Sequence, residues 1–263
     1  MSRVASVKFI AMMLLEVAVR VSVTRQTAKL KTQLEAKLRR LFIQHRSAYL
    51  AKFVKLRAQF NEALSDDAID AVFDDTAPSL QMSSAIETAV ENGLLMGAEN
   101  LLAQFGTFKP DVVFNLKNPR AVDYLKNYGV DRVTQMDDTS KSMLRDLITR
   151  EIERGTGYDK IARLIRAQFT DWSTKRAKLV AITEIGNAYQ QGNLIVGKDL
   201  ADAGLQMQKS WLTRGDDKVD PHCQANQDDG WIDVNNSFSS GADVPLDHPR
   251  CRCVTLYRRK PSE

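Results

Sequence analysis

From Arg25 to Leu64 the chain runs without a proline or a glycine. Over that stretch Leu34, Leu38, Leu41, His45, Tyr49, Phe53, Leu56 and Phe60 recur every three or four positions. This spacing keeps all of them on one side of an α-helix. Forty residues of helix are about 60 Å long at ~1.5 Å per residue. A chain of 263 residues holds one large domain or two small ones. A rod of that length does not fit inside a compact small domain. The pattern therefore predicts a helical hairpin, or an arm that reaches a neighbouring molecule. His45 lies on the apolar stripe and is expected to pack there.

The rest of this helix is basic. Residues 1–65 carry 13 Lys and Arg against 3 Asp and Glu, a net of +10, while the whole chain is only +4. The remaining residues are therefore net −6. Lys37, Arg39, Arg40, Arg46, Lys52, Lys55 and Arg57 cover much of the surface beside the stripe. Such a surface is either a solvated face or a contact for DNA or an acidic protein. Ahead of it, Val4–Val23 has the texture of a signal-peptide core. Glu16 and Arg20 interrupt it and no small-x-small site follows, so an apolar helix docked on the chain or a partner is expected. It is also too short and too charged to span a bilayer.

Beyond residue 65 the pattern stays helical. Apolar content of 43% and charge of 27% suit a packed core. Ser65-Asp66-Asp67 has the composition of a helix cap. Gly106 to Pro110 breaks the pattern, and Asn118-Pro119 opens a short helix that Gly129 is expected to close. Thr139–Glu153 is amphipathic, with Leu144, Leu147, Ile148 and Ile152 together. Gly155-Thr156-Gly157 turns the chain into a helix bearing Ile161, Leu164, Ile165 and Phe169. Ser173 can cap a third helix, with the stripe Ala181, Ile185, Ala188, Gly192 and Ile195, which Gly204 ends. The organisation expected is a basic helical region over 1–108, a bundle over 109–205 and a β tail over 206–263. The fold class is mainly α with a small C-terminal β element.

From Leu205 the texture changes. Gln206–Thr213, Trp231–Val234 and Cys253–Tyr257 alternate polar and apolar, as three short strands would. A sheet this small needs help from the bundle or from a staple. All three cysteines, Cys223, Cys251 and Cys253, lie in this tail with His222 and His248. Thiolates and imidazoles bind zinc tetrahedrally, and structural sites close with four ligands. The fourth ligand could be His222, His248 or Asp220. Cys251 and Cys253 would point to opposite faces of an extended strand, so they share an ion only if the backbone turns there. A disulfide from Cys223, or three reduced buried thiols, stand beside this reading. In the reduced case Arg252 would be structural and could pair with Glu184.

The same region carries a resemblance. Ala181-Ile182-Thr183-Glu184, Ala188-Tyr189 and Gly192 resemble a helix motif of the Mu F-like minor head proteins of tailed phages. Trp211, Thr213, Asp216 and Val219 resemble the strand and turn that follow in that family. His222, Asp229-Gly230, Pro245, His248-Pro249 and Cys251-Arg252-Cys253 follow in the family's order. The likeness covers roughly residues 140–257. The chain departs from it at Ile182, where the family usually has Arg. It departs again at Asp220, where many members have the first Cys of a C-P-x-C pair. The resemblance implies a structural role in head morphogenesis, association with the portal and capsid interior, and an effect on DNA packaging or ejection. No small-molecule substrate or membrane partner is implied.

Two other classes compete. A DNA-binding module would rest on the basic helix alone. A metal-dependent nuclease would use Asp216, Asp217, Asp220, Asp228 and Asp229 beside His222, but their order fits neither an EF-hand nor a metalloprotease helix motif. Glu184 beside Thr183 has no nucleophile or second acid at a catalytic spacing, so a structural role is expected of it. The chain has no phosphate-binding loop, no G-x-S-x-G and no kinase signature. A catalytically silent protein is the expectation.

Overall fold

The computed structural model describes residues 3–59, 71–72, 77–154, 156, 158–246, 248 and 250–261. Four long helices come first: α1 (Arg3–Gln59), α2 (Ala77–Phe105), α3 (Pro119–Glu153) and α4 (Tyr158–Asp202). A single 3-10 turn, Gly106–Phe108, follows α2. The C-terminal part is β1 (Met207–Leu212), α5 (Pro221–Asp228), β2 (Trp231–Asp233) and β3 (Val254–Arg259). The chain is thus mainly α with a small antiparallel sheet. No helix among the described residues is long and apolar enough to cross a membrane.

The residues form two compact units. One comprises Met1–Thr32, Ala89–Asp123 and Ala181–Glu263, the other Gln33–Thr88 and Tyr124–Val180. In the second unit the predicted stripe is real, but the chain itself covers it. Leu34, Leu38, Leu41, His45, Tyr49 and Phe53 are all buried. Arg46 donates to Thr170 Oγ1 at 2.9 Å, fixing α1 to α4 within this unit. The stripe is therefore core, not a surface left open for a partner. Its continuation at Phe60 and Leu64 lies outside the described residues, as do the Ser65-Asp66-Asp67 cap and the side chain of Leu56. The α3–α4 turn is held by Glu151, whose carboxylate accepts from Arg154 at 2.8 Å and from Thr156 Oγ1 at 2.9 Å.

Two punctuation signals do not act as expected, and the N-terminal apolar stretch has no boundary of its own. α1 is one helix from Arg3, so Val4–Val23 is continuous with the basic stretch rather than a separate segment. α3 runs through Gly129 without stopping. A lone glycine costs only about 1 kcal/mol in a helix, less than a 35-residue helix recovers by staying whole. Ser173 is not a cap. It sits inside α4 and donates back to the Thr170 carbonyl at 3.1 Å, an arrangement helices tolerate. Gly204, at φ +88°, does end α4. Leu205 N–H closes on the Leu200 carbonyl at 2.9 Å, which gives the end its left-handed hydrogen-bonded form.

The first unit packs α2 against α4 through small residues. A Cβ on Gly97 would lie 1.9 Å from the Tyr189 carbonyl oxygen, and one on Gly192 would lie 2.1 Å from that of Leu94. Only hydrogen fits at either place. Asn118 starts α3, accepting from Arg120 N at 2.9 Å, and Arg120 reaches Asp199 and Asp202 on α4. The sheet order is β2-β1-β3, both pairings antiparallel. Ala98 and Leu101 of α2 with Leu194, Val196 and Leu200 of α4 meet Met207, Val234 and Val244 of the tail in one apolar cluster. The tail's core is thus completed by helices, as its size requires.

Candidate metal centre

The cysteines gather because three short segments converge on a second apolar cluster of Trp211, Cys223, Phe238, Leu246, Cys251 and Cys253. Cys223 comes from α5. Its start is written as Asp220-Pro221: the Asp220 side chain accepts from His222 N at 2.9 Å and proline takes the first helical position. Cys251 comes from a tight turn in which its N–H bonds the His248 carbonyl at 3.3 Å. Leu246 (φ 72°) and Arg250 (φ 68°) bracket that turn in the left-handed region, an uncommon state for such side chains. α4 holds its entry, since Asn187 Nδ2 donates to the Leu246 carbonyl at 3.1 Å. β3 begins only at Val254, so Cys251 and Cys253 precede the strand and its alternation does not separate them.

The result is close. All three sulfurs lie within 4.8 Å of one another and all three residues are buried. Cys223 Sγ is 3.8 Å from Cys251 Sγ and 3.2 Å from His248 Nε2. The cysteines are free thiols with no disulfide among them. The Cys253 side chain draws the Cys251 thiol down to about 6, against the opposing effect of burial. Its neighbour Cys253 is pushed up by that interaction and by burial. The cluster thus favours a first thiolate at Cys251, the form that binds metal. The Trp211 indole N–H makes no well-aligned hydrogen bond, and its influence falls on Cys253, whose thiolate it favours. A small opening lined by Arg214, Lys218, Asp220, Arg250 and Arg252 leads to the sulfurs.

The histidines divide. His248 contacts the cluster through Cys223 and lines the opening, while His222 is exposed on α5 and stays out of that lining. Asp220 lines the opening, but one of its carboxylate oxygens is taken by the α5 cap. Arg252 does not pair with Glu184. Both its terminal nitrogens grip Asp216 at 2.6 Å, a bidentate bond that holds the Asp216 carboxyl down to about 2. The two residues are adjacent across the turn, whereas Glu184 is buried in α4 with Thr183, its carboxyl raised to about 7 by burial.

The acidic loop is occupied by local structure. Asp216 holds Arg252, Asp220 caps α5, Asp228 accepts from Gln224 at 2.9 Å, and Asp229 accepts from Ser239 N at 2.8 Å. Among the described residues, the three cysteines are the group of potential ligands that comes together. On α1, Lys37, Arg39, Arg40 and Lys55 are exposed, and Arg46 and Lys52 are half-buried. The Arg57 side chain lies outside the described residues.

Several residues that build the site are not legible in the sequence. α5 has no counterpart among the expected elements, although Asp220-Pro221 is a cap signal that could have revealed it. Gln227 on α5 accepts from both Thr213 N at 2.8 Å and Thr213 Oγ1 at 2.7 Å, tying the helix to the end of β1. Lys209 is wholly buried in the central strand, donating to the Asp243 carbonyl at 2.9 Å and lying 5.1 Å from the Phe238 ring centre. Nothing in the alternation of β1 distinguishes that lysine from an exposed one.

Fold and site together define a mainly α protein whose C-terminal lobe is organised by a cysteine and histidine cluster. Residues 142–256 match the family described as phage Mu protein F like protein. The matched stretch opens within α3 and closes in β3, taking in every residue of the cluster. No curated protein and no solved structure matches the chain.

Proposed function

We propose that this chain is a minor head protein of a tailed phage, built into the virion at the portal and the capsid interior during assembly in the host cytoplasm. It acts there by contact with the portal and other head proteins, and it influences DNA packaging or ejection. The observation that carries this reading is the family match over 142–256, which spans the motif helix α4 and the whole cysteine lobe. The motif residues have structural work in the fold. Ala188 and Gly192 let α2 approach α4 closely, Trp211 lies in the lobe's core, and Asp216 with Arg252 clamps its turn. Mass spectrometry of purified heads is the test. The chain should be present in complete heads and missing from heads assembled without portal. Its absence from complete heads would overturn the assignment.

One observation favours a DNA contact within that role. Lys37, Arg39, Arg40 and Lys55 remain exposed although the stripe beside them is buried. The nuclease reading is weaker, because the loop carboxylates it needs already serve as a cap, a clamp and turn acceptors.

A further inference from the structure

We propose that Cys223, Cys251, Cys253 and His248 form a closed zinc site that staples the C-terminal lobe. Four donors are what a structural zinc site takes, and three thiolates with one imidazole is one of its common sets. Zn–S bonds of about 2.3 Å in a tetrahedron place sulfurs about 3.8 Å apart. Cys223 and Cys251 stand at 3.8 Å, with the third sulfur inside the same 4.8 Å limit. His248 Nε2, 3.2 Å from Cys223 Sγ, is the nitrogen within reach. Tetrahedral coordination asks for about 3.5 Å there, and since the imidazole stands outside the 4.8 Å group that the sulfurs form, the ring must swing toward Cys251 and Cys253 to bind.

The surroundings suit an ion as well as the donors do. Three thiolates and a neutral imidazole around Zn²⁺ leave a net charge of −1. Arg214, Lys218, Arg250 and Arg252 line the opening to it and favour that charge. The buried Trp211 N–H beside Cys253 is an outer donor of the kind that orients metal-bound thiolates. The left-handed Leu246 and Arg250 flank His248, so coordination of His248 and Cys251 would tie down the turn that strains them. His222 is exposed away from the opening, and Asp220, which lines it, already spends one carboxylate oxygen on the α5 cap. The departure from the C-P-x-C pattern at Asp220 is thus made good by a histidine 28 positions later. Bound, the ion joins α5, the 246–251 turn and the lead-in to β3, three segments that the short strands alone hold weakly.

The test uses the purified full-length chain, so its outcome is separate from incorporation into heads. Zinc content is measured by plasma mass spectrometry, and the Co²⁺-substituted protein is examined by absorption spectroscopy. One zinc per chain and a tetrahedral cobalt spectrum with thiolate charge transfer are expected. His248→Ala should weaken zinc binding at least about tenfold. His222→Ala should leave it unchanged, and His248→Cys should restore it. Wild-type protein that takes up no zinc, with three freely titrating thiols, would overturn the proposal. So would zinc lost from His222→Ala and retained in His248→Ala.

Discussion

Glu184 is buried in α4, and burial raises its carboxyl to about 7 from an ordinary value of 4.5. Between those two pH values the unfolded chain gives up this proton while the folded chain keeps it. The folded state then binds more protons, so this group makes stability fall as pH rises through that window. Above it, the folded chain carries a buried carboxylate, at a cost on the order of a few kcal/mol. Glu184→Gln removes the titration. Urea unfolding of both proteins at pH 5 and pH 8 should show the variant gaining on the wild type as pH rises. A difference that stays constant between the two would mean Glu184 is ionised and well solvated in the fold. The sequence marks this residue as structural. It does not reveal burial, because Thr183 and Glu184 sit in a polar-looking run whose neighbours Ile185 and Ala188 are the visible stripe. The cysteine cluster shows the same divide. Residue types and clustering point to Cys223, Cys251, Cys253 and a histidine. Choosing His248 over His222 needs the turn at Leu246–Cys251 and the cap at Asp220, neither of which is a periodic feature.

Helix α2 meets α4 where Gly93, Gly97 and Gly192 present no side chain to the facing helix. In the sequence Gly192 reads as one position of the α4 stripe, whereas in the fold it is part of the contact. Alanine has the higher helix propensity, by about 1 kcal/mol, so an isolated helix would gain from Gly97→Ala or Gly192→Ala. The packing term opposes it and wins. The new Cβ would stand 1.9 or 2.1 Å from a carbonyl oxygen of the facing helix, and backbone cannot swing aside as a side-chain tip can. Each substitution should destabilise by at least about 1–3 kcal/mol, read as a lowered melting temperature. Gly106→Ala is the control, since its Cβ would meet only Leu102 at 3.8 Å, and it should be close to neutral. At this scale the existence and type of the elements are legible apart from α5, including the three strands and the helix end at Gly204. The stops expected at Gly129 and Ser173 do not occur, because one weak breaker does not outweigh tertiary packing along a long helix.

At the scale of the whole molecule, burial of the α1 stripe changes what the basic helix can do and how to ask. Removing residues 1–64 would strip packed residues such as Leu38 and Phe53 from the core, so a loss of binding would report unfolding. Charge reversal at Lys37, Arg39, Arg40 and Lys55 leaves the stripe intact, because these side chains are exposed. The quadruple Glu variant should melt close to the wild type, as exposed charges contribute little to stability. Its affinity for double-stranded DNA should fall, and so should the steepness with which affinity declines as salt rises. That slope shrinks by roughly 0.9 for each phosphate the variant no longer neutralises, since neutralising a phosphate releases counterions. A variant that binds DNA like the wild type at 50 mM and at 200 mM salt would remove DNA from this surface. If the same variant then failed to enter heads, the surface would be a contact for an acidic head protein. Such a contact between exposed charges also weakens with salt, but without the linear counterion law. Normal entry into heads together with normal DNA binding would leave α1 as a core helix with a solvated face, and the partner contact would have to be sought on the family-matched residues 142–256.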